Sequence, residues 1–184
     1  MKRKLSQIGQ IRTGIFAQPE VDGSVVYLQL RHFDEAGQLR QLPFPDLSTD
    51  ELTEKHSLKR GDILFAAKGQ RNFAAVFSGE FPAVASSSFL VVEVRDGAVT
   101  PEFLVWTLNS PTTQLFLKNQ ATGTALASIS KSVLANLEII VPPIEQQKRI
   151  LEVSRLSDQE HALRIKIAEL RRSQIQQAIN KAIK

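Results

Sequence analysis

The chain contains no cysteine, which removes disulfides, thiolate zinc sites and cysteine nucleophiles together and fits a reducing compartment. It has no apolar run near the roughly 18 residues that a membrane span requires. The opening Met1-Lys2-Arg3-Lys4-Leu5-Ser6-Gln7 leads into no signal-type apolar core. These absences point to a soluble cytoplasmic protein with no membrane association. Histidine is scarce: His32, His56 and His161 stand in unrelated contexts, none with a partner at a metal-binding spacing. Ser86-Ser87-Ser88 lacks the flanking glycines of a nucleophile elbow, and no phosphate-binding or dinucleotide glycine pattern occurs. The expectation is a chain that is not an enzyme by itself and holds no metal or cofactor.

What is present is globular. Of 184 residues, 42% are hydrophobic and 23% charged, so wholesale disorder is excluded and one domain with an appendage is the expected scale. The composition changes at Val141-Pro142-Pro143, after which there is no glycine, no proline and no aromatic residue. Residues 142–184 therefore read as one long helix opened by proline, up to about 60 Å at 1.5 Å per residue, and residues 1–141 as the globular domain. Leu156, Leu163 and Leu170 repeat by sevens and Ile167 completes the four-three step of a coiled-coil seam. Ile175 and Ile179 fall more than about 100° around the helix from that stripe. The middle of the helix is expected to pair with another helix and its ends to pack on globular surfaces. Folding back on its own body is the competing arrangement.

The net charge of +4 divides unevenly. Residues 145–184 hold nine Lys or Arg against five acids, and the body holds fourteen of each. A polyanion-binding role for the body would thus rest on a local patch. Within the body, β-branched and aromatic content marks strands at residues 25–30, 63–67, 73–77, 89–94 and 138–141. Asp34-Glu35-Ala36-Gly37 and Arg95-Asp96-Gly97 are turn signals. Thr100-Pro101 and Ser110-Pro111 read as capped helix starts, Ser130 as the cap of a shorter helix, and Ser48 or Thr49 as the cap of one reaching Lys55. The expected fold class is α/β, or mixed α+β, with a twisted mixed sheet followed by the long C-terminal helix.

Two segments carry recognition chemistry. Lys68-Gly69-Gln70-Arg71-Asn72, between two strands, forms an expected tip with two cations, two amides and a permissive glycine. Arg and Lys suit guanine edges, Asn and Gln suit adenine, and glycine lets backbone approach a phosphate. A solvated hairpin loop has the same composition. The second segment places Thr122, Gly123 and Thr124 before Ser128, Ser130 and Lys131, hydroxyls and a helix start that suit phosphate oxygens. Gly123 equally suits the end of the preceding helix. Arg31, at a strand end, is a third candidate.

The order of motifs then becomes recognisable. Leu5-x-x-Ile8-x-x-Ile11-x-x-Gly14, Gly61-Asp62-Ile63-Leu64-Phe65, Pro101-Glu102-Phe103-Leu104, Thr122-Gly123-Thr124 and Pro142-Pro143-x-Glu145-Gln146-Gln147-x-x-Ile150 follow one another across the chain. This series resembles the specificity (S) subunit of type I restriction-modification enzymes, in a form with one target-recognition domain and one helix instead of two of each. The resemblance implies a non-catalytic subunit that reads half of a bipartite site in double-stranded DNA. Modification subunits would methylate adenine with S-adenosylmethionine, and restriction subunits would cleave with ATP and magnesium. Two copies would dimerise through Leu156, Leu163, Ile167 and Leu170, with Ile175 and Ile179 reaching the other copy. A piece of a longer S protein is the competitor within the family. From another class, a protein-interaction adaptor or inhibitory fragment that binds modification subunits without reading DNA fits the same residue types.

Overall fold

The computed structural model describes residues 1–20, 22–34, 36–69, 72–121 and 128–183. The chain divides into two compact units, Met1–Ile144 and Glu145–Lys184.

The first unit is built on a four-stranded antiparallel sheet. β1 (Lys2–Lys4) and a single helical turn α1 (Leu5–Ile8) lead into β2 (Gly9–Thr13), and β3 (Val26–Leu28) ends in a 3-10 turn at Leu30–His32. After α2 (Glu51–Lys55) come β4 (Ile63–Ala66), β5 (Ala74–Val76), β6 (Ala83–Ala85) and β7 (Phe89–Val94). Then follow α3 (Pro101–Asn109), α4 (Pro111–Gln120), α5 (Lys131–Ala135) and β8 (Glu138–Ile140). The main sheet has the order β2-β7-β4-β5, while β1 pairs with β8 and β3 pairs with β6 as separate two-stranded sheets. The main sheet is antiparallel throughout; parallel pairing joins β3 to β6, from Val26↔Ala83 to Leu28↔Ala85, and recurs as an isolated bridge between Ile15 and Ser86.

The central strands β4 and β7 read as unbroken apolar runs because both of their faces are covered. Ile63, Leu64, Phe65 and Ala66 are all buried, as are Phe89, Leu90, Val91 and Val92. By the two-residue alternation, Leu64, Ala66, Phe89 and Val91 share one face and join Val26, Leu28, Ala83 and Ala85 in a single cluster. Phe33, Phe73 and Phe89 meet there at centroid distances of 5.5–6.1 Å, within the range of favourable edge and tilted ring contacts. α3 packs against β5 and α5 against β2.

Helix starts follow local chemistry. Thr100, Ser110 and Ser130 each accept a hydrogen bond from the backbone N–H three residues on, opening α3, α4 and α5. The cap of α2 differs from the sequence expectation. Asp50, not Ser48 or Thr49, accepts from Thr53 N at 2.7 Å, and Thr49 Oγ1 is instead 2.7 Å from Ser24 Oγ.

The second unit is one helix, α6 (Ile144–Ala182), with Glu145–Lys148, Glu152–Arg155 and Glu160–Arg164 ion pairs along its surface.

Candidate nucleic-acid interface

The C-terminal ends of β3, β4 and β6 converge. β3 and β6 are parallel neighbours, and Ser86 N, just past β6, donates to Leu28 O at 2.9 Å. Ala67 and Lys68, just past β4, both donate their N–H groups to Ser88 O, at 2.9 and 3.3 Å. On the other edge, Ile129 N donates to Ala67 O at 2.8 Å, and Lys68 forms an antiparallel bridge with Ser128. A β-carbon on Gly69 would lie 3.3 Å from Leu30 Cδ1, so the start of the Lys68–Asn72 loop lies against the turn that carries Arg31. Lys68, Gly69, Ser88, Ser128 and Arg31 therefore belong to one region, assembled almost wholly by main-chain hydrogen bonds.

Two open clefts meet at Arg31. One is lined by Arg31 with Arg40, Gln41, Leu42, Pro43, Phe44 and Asp46. The other is lined by Arg31 with Phe16, Tyr27, Gln29 and Ser86, Ser87 and Ser88. The ion pairs among the described residues of the body lie elsewhere: Arg3 with Asp96, Arg12 with Asp62, Lys2 with Glu138, Arg95 with Glu93. Among the described residues, Arg31, Arg40 and Lys68 form no carboxylate ion pair. Asp46 lines the same cleft as Arg31 and Arg40; its Oδ1 accepts Tyr27 N at 2.8 Å and it keeps its negative charge. Among the described lining residues of that cleft, Arg31 and Arg40 thus stand against the one carboxylate of Asp46, a surplus of one positive charge in a body of no net charge. His32 adds nothing to it near neutral pH, because burial first and then Arg31 lower its pKa, against an opposing pull from Asp46.

Of the residues singled out in sequence, the structure brings Lys68, Gly69 and Arg31 together. Lys131 is exposed at the start of α5, three residues beyond Ser128. Asn72 serves the fold, since its Nδ2 donates to Ala66 O at 2.7 Å and closes the loop on the strand that opened it. Gln70, Arg71, Thr122, Gly123 and Thr124 lie outside the described residues. Sequence reading passed over Arg40, Phe44, Phe16 and Ser88. Arg40 and Ser88 carry no local signal, since their position depends on pairings far apart in the chain. Phe44, between Pro43 and Pro45, was recognisable as an aromatic residue that no strand could bury. On α6, Leu156, Leu163, Ile167 and Leu170 are 48–60% exposed, and Ile175 and Ile179 are 62% and 46% exposed.

The model of the family described as the type I restriction modification DNA specificity domain matches residues 32–172, well over half of the chain. The chain belongs to that family. It is similar to the type I restriction enzyme MjaVIII specificity subunit of Methanocaldococcus jannaschii, with 24% identity over 147 residues that cover 80% of this chain and 32% of that protein. The chain thus spans about a third of that relative's length. Its fold matches the HsdS subunit from Thermoanaerobacter tengcongensis with a TM-score of 0.64 at 18% identity, over 88% of this chain and 38% of that one. It matches the S subunit of the type I system from M. genitalium with a TM-score of 0.58 at 16% identity, over 86% and 39%.

Two motifs of this specificity domain have direct physical causes here. Gly14 runs so close to the end of β6 that an added β-carbon would lie 2.1 Å from Ser86 O, which only glycine avoids. Gly61 has φ +90°, a left-handed conformation that favours glycine. The following Asp62 then turns inward, where Oδ2 accepts from Lys59 N and Arg12 Nη2, each at 3.1 Å. Arg12 also donates to the carbonyls of His56 and Ser57, at 2.9 and 3.0 Å. The Gly-Asp turn therefore anchors the base of β4, the strand that delivers Lys68.

Proposed function

We propose that this chain is a DNA-reading specificity unit that is not itself catalytic, and that two copies associate through α6 to read a bipartite site. The observation that carries this reading is the region at the ends of β3, β4 and β6. There Arg31 and Lys68, free of described carboxylate ion pairs, stand beside Ser87, Ser88 and Ser128, and Arg40 shares a second cleft with Arg31, in a body of no net charge. Guanidinium and ammonium groups with short hydroxyls are the set that contacts phosphate oxygens and base edges. In this reading modification subunits supply adenine methylation with S-adenosylmethionine. Restriction subunits supply cleavage with ATP and magnesium, and this chain gives both their address.

Pairing of two copies is supported by α6 itself. A helix that leaves Leu156, Leu163, Ile167 and Leu170 about half exposed carries an apolar stripe at heptad spacing with no partner inside its own unit. A two-fold dimer would favour inverted half-sites, since the symmetry of the protein is mirrored in its target. The test is a titration of the full chain against a pool of randomised duplexes at low and moderate salt, with and without modification subunits. Retention of a reproducible subset of duplexes, with affinity falling linearly in the logarithm of salt concentration, is the expected result. Binding to modification subunits but to no duplex at any salt would replace this reading with that of a protein adaptor.

A further inference from the structure

Two phenylalanines of the body stand out in water beside Arg31. Phe44 is 88% exposed and Phe16 is 78% exposed, whereas Phe33, Phe65, Phe77, Phe89 and Phe103 are buried. Neither is bared by a fraying segment. Arg40 N donates to His32 O at 2.9 Å and Asp46 N to Val25 O at 3.0 Å, which pins both ends of the loop that carries Phe44. Pro43 and Pro45 fix φ on either side of it and remove two N–H groups. Phe16 is held in the same manner: the Tyr27 hydroxyl donates to Ile15 O at 2.9 Å and accepts from Ala17 N at 3.2 Å.

Each ring lines one of the two clefts that share Arg31, and Phe44 shares its cleft with Arg40 as well. A stiff apolar tip, with Leu42 62% exposed beside it and guanidinium groups at its base, matches one occupant well. Duplex DNA offers phosphates to the cations and a base step into which an aromatic ring can wedge. A protein partner would have to bring carboxylates to the same two arginines. The region also adjoins Lys68 and Ser128, since Gly69 approaches Leu30 so closely that an added β-carbon would lie 3.3 Å from its Cδ1.

We propose that Phe44 is a wedge that inserts at a base step of the DNA half-site while Arg31 and Arg40 hold the flanking phosphates, with Phe16 as a second apolar contact beyond Arg31. The proposal rests on the DNA-reading function. It adds to that function a preference for steps that unstack easily, such as TA and CA/TG.

The test uses the duplexes that the full chain enriches from the randomised pool, with 2-aminopurine placed at successive positions. Binding of the parent is expected to brighten one position per half-site. Phe44→Ala is expected to remove that signal and weaken binding about tenfold while leaving the salt slope unchanged, and Phe44→Trp to restore both. A Phe44→Ala protein with parental urea unfolding excludes a folding defect. Equal affinity of parent and Phe44→Ala with no brightened position overturns the wedge and leaves DNA reading intact. Loss of modification-subunit binding with unchanged DNA binding reassigns the tip to a protein contact. Failure of the parent to enrich any duplex overturns the DNA reading and the wedge with it.

Discussion

Removing the side chain of Asn109 should loosen the strand that follows the Lys68–Asn72 loop. β5 is an edge strand, and Ala74 turns its N–H and C=O away from β4. Asn109, the last residue of α3, satisfies both: Oδ1 accepts from Ala74 N at 2.7 Å and Nδ2 donates to Ala74 O at 2.9 Å. One side-chain amide thus stands in for a neighbouring strand, and it also blunts the edge against pairing with another chain. Each such hydrogen bond contributes about 1 kcal/mol net. Ala74 is 1% exposed, so water regains access to it only through the gap that the variant leaves. Asn109→Ala should therefore cost about 2 kcal/mol. Asn109→Asp should cost as much or more, because a carboxylate oxygen would face the Ala74 carbonyl. Trp106, the only tryptophan, lies in α3 and stacks on Phe103 at 5.8 Å. Its fluorescence in urea at fixed protein concentration reports the body without α6, which has no aromatic residue. Hydrogen exchange at the Ala74 amide should accelerate in parallel. Parental unfolding of both variants, within about 0.3 kcal/mol, would refute the edge-cap reasoning.

Stability of the body should fall as pH drops below about 6.5, the ordinary histidine value. His56 and His32 both have folded-state pKa values lowered, His56 by burial and then by Arg12 and Lys55. The unfolded chain therefore binds more protons than the folded one below that pH, and a urea midpoint that stays flat from about pH 7.5 to about pH 5.5 would refute this. Acidification further should remove the contribution of Asp50, whose pKa is lowered chiefly by the Thr53 N–H it accepts. Lys68→Ala and Arg31→Ala should each weaken duplex binding and reduce the steepness of the salt dependence by about one, without moving the Trp106 unfolding curve. Salt titrations with unchanged slopes would contradict the phosphate-contact assignment. Leu163→Lys replaces an apolar residue of the α6 seam in both copies, and the loss of two half-exposed leucines at about 1 kcal/mol each should weaken self-association at least about thirtyfold. Sedimentation equilibrium checks it, and an unaltered dimer constant would remove the seam.

Legibility in the sequence followed burial and locality. β4 and β7 were plain because strands covered on both faces become continuous runs such as Ile63-Leu64-Phe65-Ala66. β1 was hidden because its residues, Lys2-Arg3-Lys4, are charged and pair only with β8, well over a hundred residues away. β6 was hidden for the opposite reason. Ala83-Val84-Ala85 is buried but built of small residues with little strand propensity, chosen by close packing beside β3. The helix starts were visible wherever proline followed the cap, at Thr100 and Ser110. The cap of α2 was misread because Ser48, Thr49 and Asp50 are all competent, and the contact of Thr49 with Ser24 decides among them. At the candidate interface, Lys68 and Arg31 were legible as cations at strand ends. Their shared neighbourhood with Ser88 and Ser128 depends on pairings that sequence spacing does not encode.

The construction of the candidate interface keeps the bonds that fold it apart from the side chains proposed to read DNA. Main-chain groups of Leu28, Ser86, Ala67, Lys68, Ser88 and Ile129 tie the three strand ends together, so the side chains at positions 68, 88 and 128 can change without breaking those bonds. The asparagines divide in the other direction. Asn72 and Asn109 spend their amides on the carbonyls of Ala66 and Ala74, so their replacement acts on the shape of the β4–β5 hairpin before it acts on any ligand. Asn72 offers base-reading chemistry by residue type, but its Nδ2 is committed to closing the loop. A change in target preference at Asn72 would therefore be accompanied by faster amide exchange near Ala66, and one at Lys68 would not.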